Sequence, residues 1–230
     1  MCGRVIVDYD EMIPVASGSE LAQWITDSPE GAVSSWNVKP TQSIPVALTS
    51  AKTGERRFEL AHWSLVPLWA KDLSQKYPTF NARAETLSEK RTFAPALKHQ
   101  RCAVVVSGFY EWTGPKQARV PHAVFGPNPM LLMAGLYSWW RAPNVAEHEG
   151  WTLTATILTR DSAGVMEPLH DRMPVLLSEE LLCDWLDPVT VGDQLLVDAV
   201  SEASVPLASD LREWAVRPLR GDGPELILPV

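Results

Sequence analysis

The sequence predicts an α+β fold in which helices flank a mostly antiparallel, barrel-like sheet. Six short apolar or alternating segments are spread over the whole chain, as expected of strands, with proline and glycine between them. Segments with helical periodicity are fewer and are interspersed among them, a mixture typical of the α+β class. A chain of 230 residues that is 46% hydrophobic can bury one substantial core, so we expect a single domain over residues 1–230.

The elements are justified in chain order by their hydrophobic patterns. Apolar or alternating runs predict strands at 44–48, 58–63, 102–106, 130–136, 151–158 and 174–177. Helical periodicity predicts helices at 19–26, within 85–99, at 178–186 and at about 191–200. Ser178 is a suitable N-cap, because Glu179 and Glu180 follow it at the positive end of the helix dipole. Residues 114–129 are predicted to form a long hairpin connection, and residues 141–150 a surface loop.

Several classes of protein are disfavoured by the composition. No apolar run reaches the roughly 20 residues of a spanning helix, and no basic segment precedes an apolar stretch at the N-terminus. We therefore expect a cytoplasmic protein. Cys2, Cys102 and Cys183 are far apart and form no C-x-x-C pair, which argues against a disulfide framework or a zinc site. We expect Cys102 and Cys183 to be buried, and we expect neither a metal nor a cofactor.

The net charge of −8 is unevenly distributed along the chain. Residues 1–174 hold 17 basic and 17 acidic side chains, whereas residues 175–230 hold 3 and 11. Residues 39–119 carry 13 basic and 6 acidic side chains, so an acidic protein could still present a basic groove to nucleic acid. The alternative is that these charges are scattered over a solvated surface.

The N-terminus carries the sequence Met1-Cys2-Gly3, in which the small side chain of Cys2 permits removal of Met1. That removal would expose an amine and a thiol on adjacent carbons. An α-amine titrates near 7.7 to 8.0 and a lysine near 10.4, so the α-amine is far more often deprotonated at neutral pH. It can attack an aldehyde, and the tethered thiol can then close on the imine to form a thiazolidine. A cysteine at position 2 can also occur by chance.

Residues 81–85 combine an amide, a guanidinium and a carboxylate. If the segment is extended, its period of two places Asn81, Arg83 and Glu85 on one face. The planar fork of Arg83 suits a phosphate, although a surface salt bridge is the alternative.

Two further segments contain groups suited to proton transfer. Glu111 follows an apolar strand between Tyr110 and Trp112, where desolvation raises a carboxyl pKa and suits it to acid or base work. His170 precedes an apolar strand and has Asp171 and Arg172 as charged neighbours, so it could shuttle protons near neutral pH. A glutamate that caps a strand end and a structural histidine are the alternatives.

Six motifs together resemble the SRAP family, named for SOS-response-associated peptidases, which processes abasic sites. The resemblance covers nearly the whole chain. The motifs are MCGR from Met1, WNVKP from Trp36, WSLVPLW from Trp63, NARAET from Asn81, SGFYEW from Ser107 and HDRMP from His170.

The resemblance implies a single SRAP-type domain whose mature Cys2 forms a thiazolidine crosslink with the ring-opened aldehyde of an abasic site in single-stranded DNA. It implies that Asn81 holds the opened sugar, that Glu111 positions or deprotonates the α-amine, and that His170 supplies acid and base catalysis. Members also show lyase-like strand cleavage, and they have been proposed to act as autopeptidases on the residue before the cysteine.

The resemblance also implies a DNA-binding surface. In this sequence Arg83 and Arg172 would bind phosphates with help from Arg4. Pro40 and Trp69 would support a kinked strand. Trp112 would line the pocket. The partner is then single-stranded DNA that contains abasic sites, and we expect a monomer that joins the nucleoid when it binds DNA.

The sequence departs from the family pattern at two places. Ser64 stands where the family usually has glycine, and residues 216–219 lack an asparagine often found there. Two other functions remain open. N-terminal-nucleophile amidohydrolases of the glutaminase type also begin Met-Cys-Gly, although their glutamine-binding motifs are not found here. A non-covalent reader of single-stranded or modified DNA would leave Cys2 without a role.

Overall fold

The computed structural model of the protein describes residues 2–143, Val145 and residues 150–230. Met1 and part of the predicted loop 141–150 lie outside these residues. The strands are β1 (Val5–Val7), β2 (Ser35–Val38), β3 (Ser43–Thr49), β4 (Arg56–Trp63), β5 (Asn81–Arg83), β6 (Arg101–Val106), β7 (Gly108–Thr113), β8 (Val120–Phe125), β9 (Leu131–Arg141), β10 (Trp151–Asp161), β11 (Arg172–Pro174) and β12 (Arg212–Ala215). The α-helices are α1 (Tyr9–Ser17), α2 (Ala94–His99), α3 (Glu179–Leu186) and α4 (Gln194–Ser209).

The strands form two sheets, and one of them contains a closed barrel. In the larger sheet β10, β4, β3, β6 and β9 pair in that order, and β9 pairs with β10 again. All of these pairings are antiparallel except β4 with β10. The second sheet has the order β12-β8-β7-β1-β2. The predicted α+β class with a mostly antiparallel, barrel-like sheet is confirmed.

Helix α3 packs against β6 of the barrel, and the buried face of α4 belongs to the same hydrophobic core. Trp185 of α3 is fully buried, and its indole Nε1 donates to the carbonyl of Cys102 on β6 at 2.9 Å. Cys102 is buried as expected, but the expectation for Cys183 was wrong, because Cys183 lies on the outward face of α3. No helix among the described residues is long and apolar enough to cross a bilayer.

One predicted connection contains a strand, and one predicted strand has different bounds. Residues 120–125 lie within the predicted connection 114–129 but form β8, since they pair with β7 and β12. The predicted strand 174–177 overlaps β11 at Pro174 only, and Leu176 makes an isolated bridge to Met133. In both cases strand pairing in the folded protein, and not the local sequence, determines which residues form a strand.

The helix predictions differ mainly in length and type. Residues 19–26 contain only a 3-10 helix, Glu20–Gln23, and residues 85–99 contain a 3-10 helix, Ala84–Glu89, followed by α2. The helix predicted at 191–200 is confirmed as the longer α4. Helix α1 was not predicted, although Asp8 caps it by accepting from the Asp10 N–H at 3.2 Å.

Candidate active site

Cys2 lies just before β1 and is fully buried. Strand β1 fixes its position by pairing with both β2 and β7. The Sγ atom lies 4.0 Å from the carbonyl oxygen of Arg4. Burial raises the pKa of the Cys2 thiol far above its ordinary value, and the negative charge of Glu111 raises it further. The sulfur is therefore held as a neutral thiol, which leaves the adjacent amine as the available nucleophile once that amine is free.

Asn81 is joined directly to Cys2 by a hydrogen bond. Its Nδ2 donates to the carbonyl oxygen of Cys2 at 2.7 Å, although the two residues are 79 positions apart. Phe80 anchors the start of β5, because its carbonyl accepts from Ile157 N–H at 3.0 Å and from the Trp63 indole at 2.9 Å. The Asn81 Oδ1 atom is buried and has no hydrogen-bond partner among the described residues. This oxygen is placed to accept a hydrogen bond from a substrate hydroxyl or from an amine.

Glu111 lies on β7 and is only 3% exposed. Its Oε1 atom lies 3.4 Å from the backbone N–H of Trp112. Phe109 belongs to the main core, whereas Tyr110 and Trp112 pack in a separate cluster on the opposite face of the sheet. Because side chains alternate along a strand, Glu111 faces the same side as Phe109, toward Cys2. A buried carboxylate within electrostatic reach of Cys2 can take a proton from a neighbouring amine.

His170 lies two residues before β11 and is half-buried. Its Nδ1 atom is 2.9 Å from the backbone nitrogen of Arg172 and 2.6 Å from Asp171 Oδ1. One ring nitrogen cannot accept from an N–H and donate to a carboxylate at the same time. Nδ1 therefore either accepts from the Arg172 N–H, with the ring proton on Nε2, or carries a proton and donates to Asp171. The ring thus has both a donor and an acceptor within hydrogen-bond distance, which suits a group that gives and takes protons.

Arg172 makes a dense set of hydrogen bonds. Its guanidinium contacts both carboxylate oxygens of Glu85, at 2.8 and 2.9 Å, as well as Asp161 at 2.6 Å and the Thr159 carbonyl at 2.6 Å. Burial alone would raise the pKa of Glu85, but the hydrogen bonds and charge of Arg172 outweigh it and hold that pKa below its ordinary value. Arg172 on β11 therefore links β10 to the 3-10 helix that follows β5. A phosphate role for it stays a prediction.

Arg83 differs from Arg172 in being exposed at the end of β5. No described carboxylate forms an ion pair with it. The extended segment expected at 81–85 ends at Arg83, because residues 84–89 turn into a 3-10 helix that directs Glu85 to Arg172. The salt bridge considered for Arg83 is therefore made by Arg172 instead. Arg83 remains open to bind a phosphate.

The remaining predicted DNA-binding side chains occupy separate positions. Trp69 is 58% exposed, and the Arg91 guanidinium lies 5.6 Å from its ring centroid. Arg91 was not predicted to lie there, because no local pattern pairs it with a tryptophan 22 positions away. Pro40 is half-buried and precedes Thr41, whose φ of 74° marks a tight turn between β2 and β3. Trp112 is half-buried beside Arg4.

The departure at Ser64 is accommodated by a local hydrogen bond. Ser64 is buried, and its hydroxyl lies 2.7 Å from that of Thr79. The backbone N–H of Leu65 donates to the Thr79 carbonyl at 3.2 Å, which holds the chain before β5 in place. The Ser64 hydroxyl therefore has a hydrogen-bond partner, and that partner, Thr79, lies two residues before Asn81. In the second departure, 216–219, Val216 N–H donates to the Pro121 carbonyl at 2.9 Å.

The arrangement can carry out addition to a carbonyl. Within the part of the chain that the structure describes, no cluster of three or more histidine, cysteine or acidic side chains could hold a metal ion. The groups that converge are a buried thiol at Cys2, a carboxylate at Glu111 and an amide at Asn81. His170 lies two residues before β11. Strand β10 pairs with both β11 and β5, so it connects the His170 segment to the strand that begins with Asn81.

Comparison with known proteins agrees with this picture. Residues 1–218 match the protein family described as SOS response associated peptidase (SRAP). The chain is 34% identical over 236 residues to the abasic site processing protein YoqW of Bacillus subtilis, with 99% of each chain covered. It is 30% identical over 200 residues to the abasic site processing protein HMCES of Xenopus tropicalis, covering 74% of this chain and 58% of that one. A crystal structure of a protein from Bacteroides thetaiotaomicron has the same fold, with a TM-score of 0.75, 20% identity and full coverage of both chains.

Proposed function

This chain belongs to the SOS response associated peptidase (SRAP) family, and we propose that it processes abasic sites in single-stranded DNA. The product is a covalent thiazolidine crosslink between Cys2 and the ring-opened abasic sugar. One observation carries the proposal: Asn81 Nδ2 holds the Cys2 carbonyl at 2.7 Å, in a site where Glu111 is buried within electrostatic reach of the thiol. The similarity to curated abasic site processing proteins over 99% of the chain supports it.

The first step uses the α-amine of Cys2, so it requires the removal of Met1. Glu111 accepts a proton from the ammonium form, which frees the nitrogen lone pair for attack on the C1′ aldehyde. The hydrogen bond from Asn81 orients the Cys2 backbone, and therefore the amine, toward the substrate. The free acceptor Asn81 Oδ1 suits a hydroxyl of the opened sugar.

The aldehyde must first be released, because an abasic sugar is mostly a closed hemiacetal. Ring opening takes a proton from the C1′ hydroxyl and gives one to the ring oxygen. After amine addition, the carbinolamine oxygen leaves as water and needs a further proton. His170 can supply and recover these protons, since its ring has both a hydrogen-bond donor and an acceptor within reach.

The thiol closes the ring after the imine has formed. Sulfur bonds to C1′, the former aldehyde carbon. The C=N bond becomes a single bond, and the thiol proton moves to nitrogen. Because burial keeps the thiol protonated, the amine reacts first and the sulfur follows as a tethered nucleophile. Closure also diverts the imine from elimination at C2′, which would break the strand in a lyase-like reaction. Hydrolysis of the bond before Cys2, as a peptidase, is a further activity proposed for this site.

The decisive experiment incubates the purified protein, after intact mass has shown that Met1 is absent, with a single-stranded oligonucleotide that contains one abasic site. We expect a denaturant-stable adduct that is lost in Cys2→Ala. Reversible binding without an adduct would instead indicate a DNA reader. Glutaminase activity without an adduct would indicate an N-terminal-nucleophile amidohydrolase. Either result contradicts the crosslinking proposal.

A further inference from the structure

A pocket with apolar walls lies on the side of the barrel that helices α3 and α4 flank. It has a volume of about 140 Å³ and lies between the β8–β9 connection, the start of β9, the start of α3 and the end of α4. This volume is below the roughly 300 to 1,000 Å³ of pockets that hold drug-sized molecules, so it suits a single side chain. We call it the leucine pocket, because its walls include Leu131, Leu132, Leu176, Leu177, Leu207 and Leu211.

The walls of the leucine pocket are core residues that the fold leaves slightly uncovered. Leu131 and Leu132 at the start of β9 retain 8% and 6% exposure, whereas Val104 and Val105 of the neighbouring β6 are fully buried. The backbone is engaged here, since the Leu177 N–H donates to the Leu132 carbonyl at 2.9 Å. A ligand in the pocket therefore meets side chains rather than an open strand edge, and its binding gains from covering apolar surface.

The rim of the leucine pocket is acidic. Glu179 begins α3 and Asp210 follows the last residue of α4, and both side chains are exposed. Helix α4 ends at this rim, so the negative end of its dipole lies there, and its last turn contains no basic side chain. Arg212 is close in sequence, but its guanidinium donates to the carbonyls of Gly126 and Pro127, at 3.1 and 3.5 Å. The rim therefore presents two carboxylates that form no ion pair with a described basic residue.

These charges disfavour nucleic acid and favour a basic partner. Residues 175–230, which include both carboxylates of the rim, hold 11 acidic and 3 basic side chains, so a phosphate backbone is repelled. Lysine and arginine fit the rim, because they pair with carboxylates and with the C-terminal end of a helix. A small apolar molecule would leave the carboxylates unused, whereas a peptide can present one apolar side chain together with basic neighbours.

We propose that the leucine pocket is a docking site for a partner protein, which inserts one leucine-sized side chain from a segment rich in lysine and arginine. The apolar side chain is the anchor, and the basic residues on either side of it pair with Glu179 and Asp210. The pocket shares no residue with the Cys2 site. The proposal therefore goes beyond DNA processing, and its failure would leave the proposed function untouched.

The first arm of the test varies the ligand. The probe is a fluorescent peptide in which one leucine lies between two pairs of lysines, and its anisotropy is measured as the protein is added. We expect saturable binding that weakens as salt rises, because the rim charges are exposed to solvent. Replacing the leucine of the peptide by alanine should weaken binding about tenfold or more, since the anchor loses most of its apolar surface. Equal binding of the two peptides, or no saturable binding of the leucine peptide, overturns the proposal.

The second arm varies the rim. Glu179→Lys and Asp210→Lys each turn an attraction into a repulsion, so we expect about fivefold weaker binding for each. Glu180→Lys is the matched control, because Glu180 is exposed next to Glu179 on α3, lies outside the pocket and changes the net charge equally. We expect less than a twofold change for it. A control that loses as much affinity as Glu179→Lys would indicate a general attraction to acidic surface, and the pocket would then have no specific role.

Two further measurements separate other sites and other occupants. Hydrogen exchange should show that the leucine peptide protects residues 127–132 and 207–211, and protection confined to other segments contradicts the proposal. Sedimentation should give a monomer for the wild type and for both rim variants. A dimer that the rim variants dissociate would mean that a second copy of the chain fills the pocket instead. The rim variants should form the abasic-site adduct at the wild-type rate, and slower crosslinking would place the rim in the reaction site rather than in a separate interface.

Discussion

Replacing Asn81 by leucine removes the hydrogen bond that joins β5 to the backbone of Cys2. The substitution keeps the approximate size of the side chain and leaves the Cys2 carbonyl without this donor in a buried site. Leaving such a group unsatisfied costs about 1 to 3 kcal/mol. If that cost falls on the orientation of the amine, adduct formation slows by about 5- to 150-fold, since 1.4 kcal/mol corresponds to a factor of ten.

The assay is a single-turnover time course of adduct formation on denaturing gels, with thermal unfolding measured in parallel. Thr79→Val is the matched control. It breaks a buried hydrogen bond of the same 2.7 Å length, between Ser64 and Thr79, two residues before Asn81. We expect the control to lose stability but to crosslink within twofold of the wild-type rate. An Asn81→Leu protein that is folded and crosslinks at the wild-type rate would refute the reasoning.

Four other outcomes follow from the site. Cys2→Ser should form an imine that borohydride traps but no stable adduct, and equal adduct stability in both proteins would contradict thiazolidine closure. Glu111→Gln should slow adduct formation at least tenfold with little change in the unfolding temperature, because it removes the base but keeps the shape. Arg83→Ala should weaken DNA binding and reduce its salt dependence, and an affinity indifferent to ionic strength would argue against a phosphate contact. Glu85→Gln should lower the unfolding temperature near neutral pH. Arg172 holds the Glu85 pKa low, so this contribution is present above the ordinary carboxyl pKa and fades as pH falls below about 4; a difference that is constant with pH would contradict it.

The strands of the barrel could be predicted from local sequence because each contains a run that is apolar or that alternates apolar with polar residues. Residues 102–106, for example, are all buried in β6, and their pattern alone indicates a covered strand. The small sheet was harder to predict. β8 alternates around Pro121 and His122, and β1 has only three residues, so neither carries a local signal that exceeds that of a loop. These strands exist because they pair with β7.

The candidate site was predictable in part, for chemical reasons. An N-terminal Cys2, a glutamate after an apolar strand and a histidine with charged neighbours each have properties that follow from residue type and position. Glu111 is buried, as its apolar and aromatic neighbours in the sequence predicted. His170 contacts Asp171 and Arg172, the two charged residues that follow it. The partners of Arg172 could not be predicted, since Glu85 is 87 positions away and is reached only through the pairing of β10 and β11.

The sequence by itself determined the α+β class, the barrel strands and the order of the motifs that define the family. These features depend on hydrophobic period and on residue type, which are local properties. The tertiary structure decided which charged groups are engaged and which are open. It pairs Arg172 with carboxylates, leaves Arg83 exposed, and gathers Arg4, Lys39 and Arg119 around one pocket. Hydrogen bonds and charge interactions depend on distances of a few ångströms between residues that are remote in the chain, so only the folded arrangement sets them.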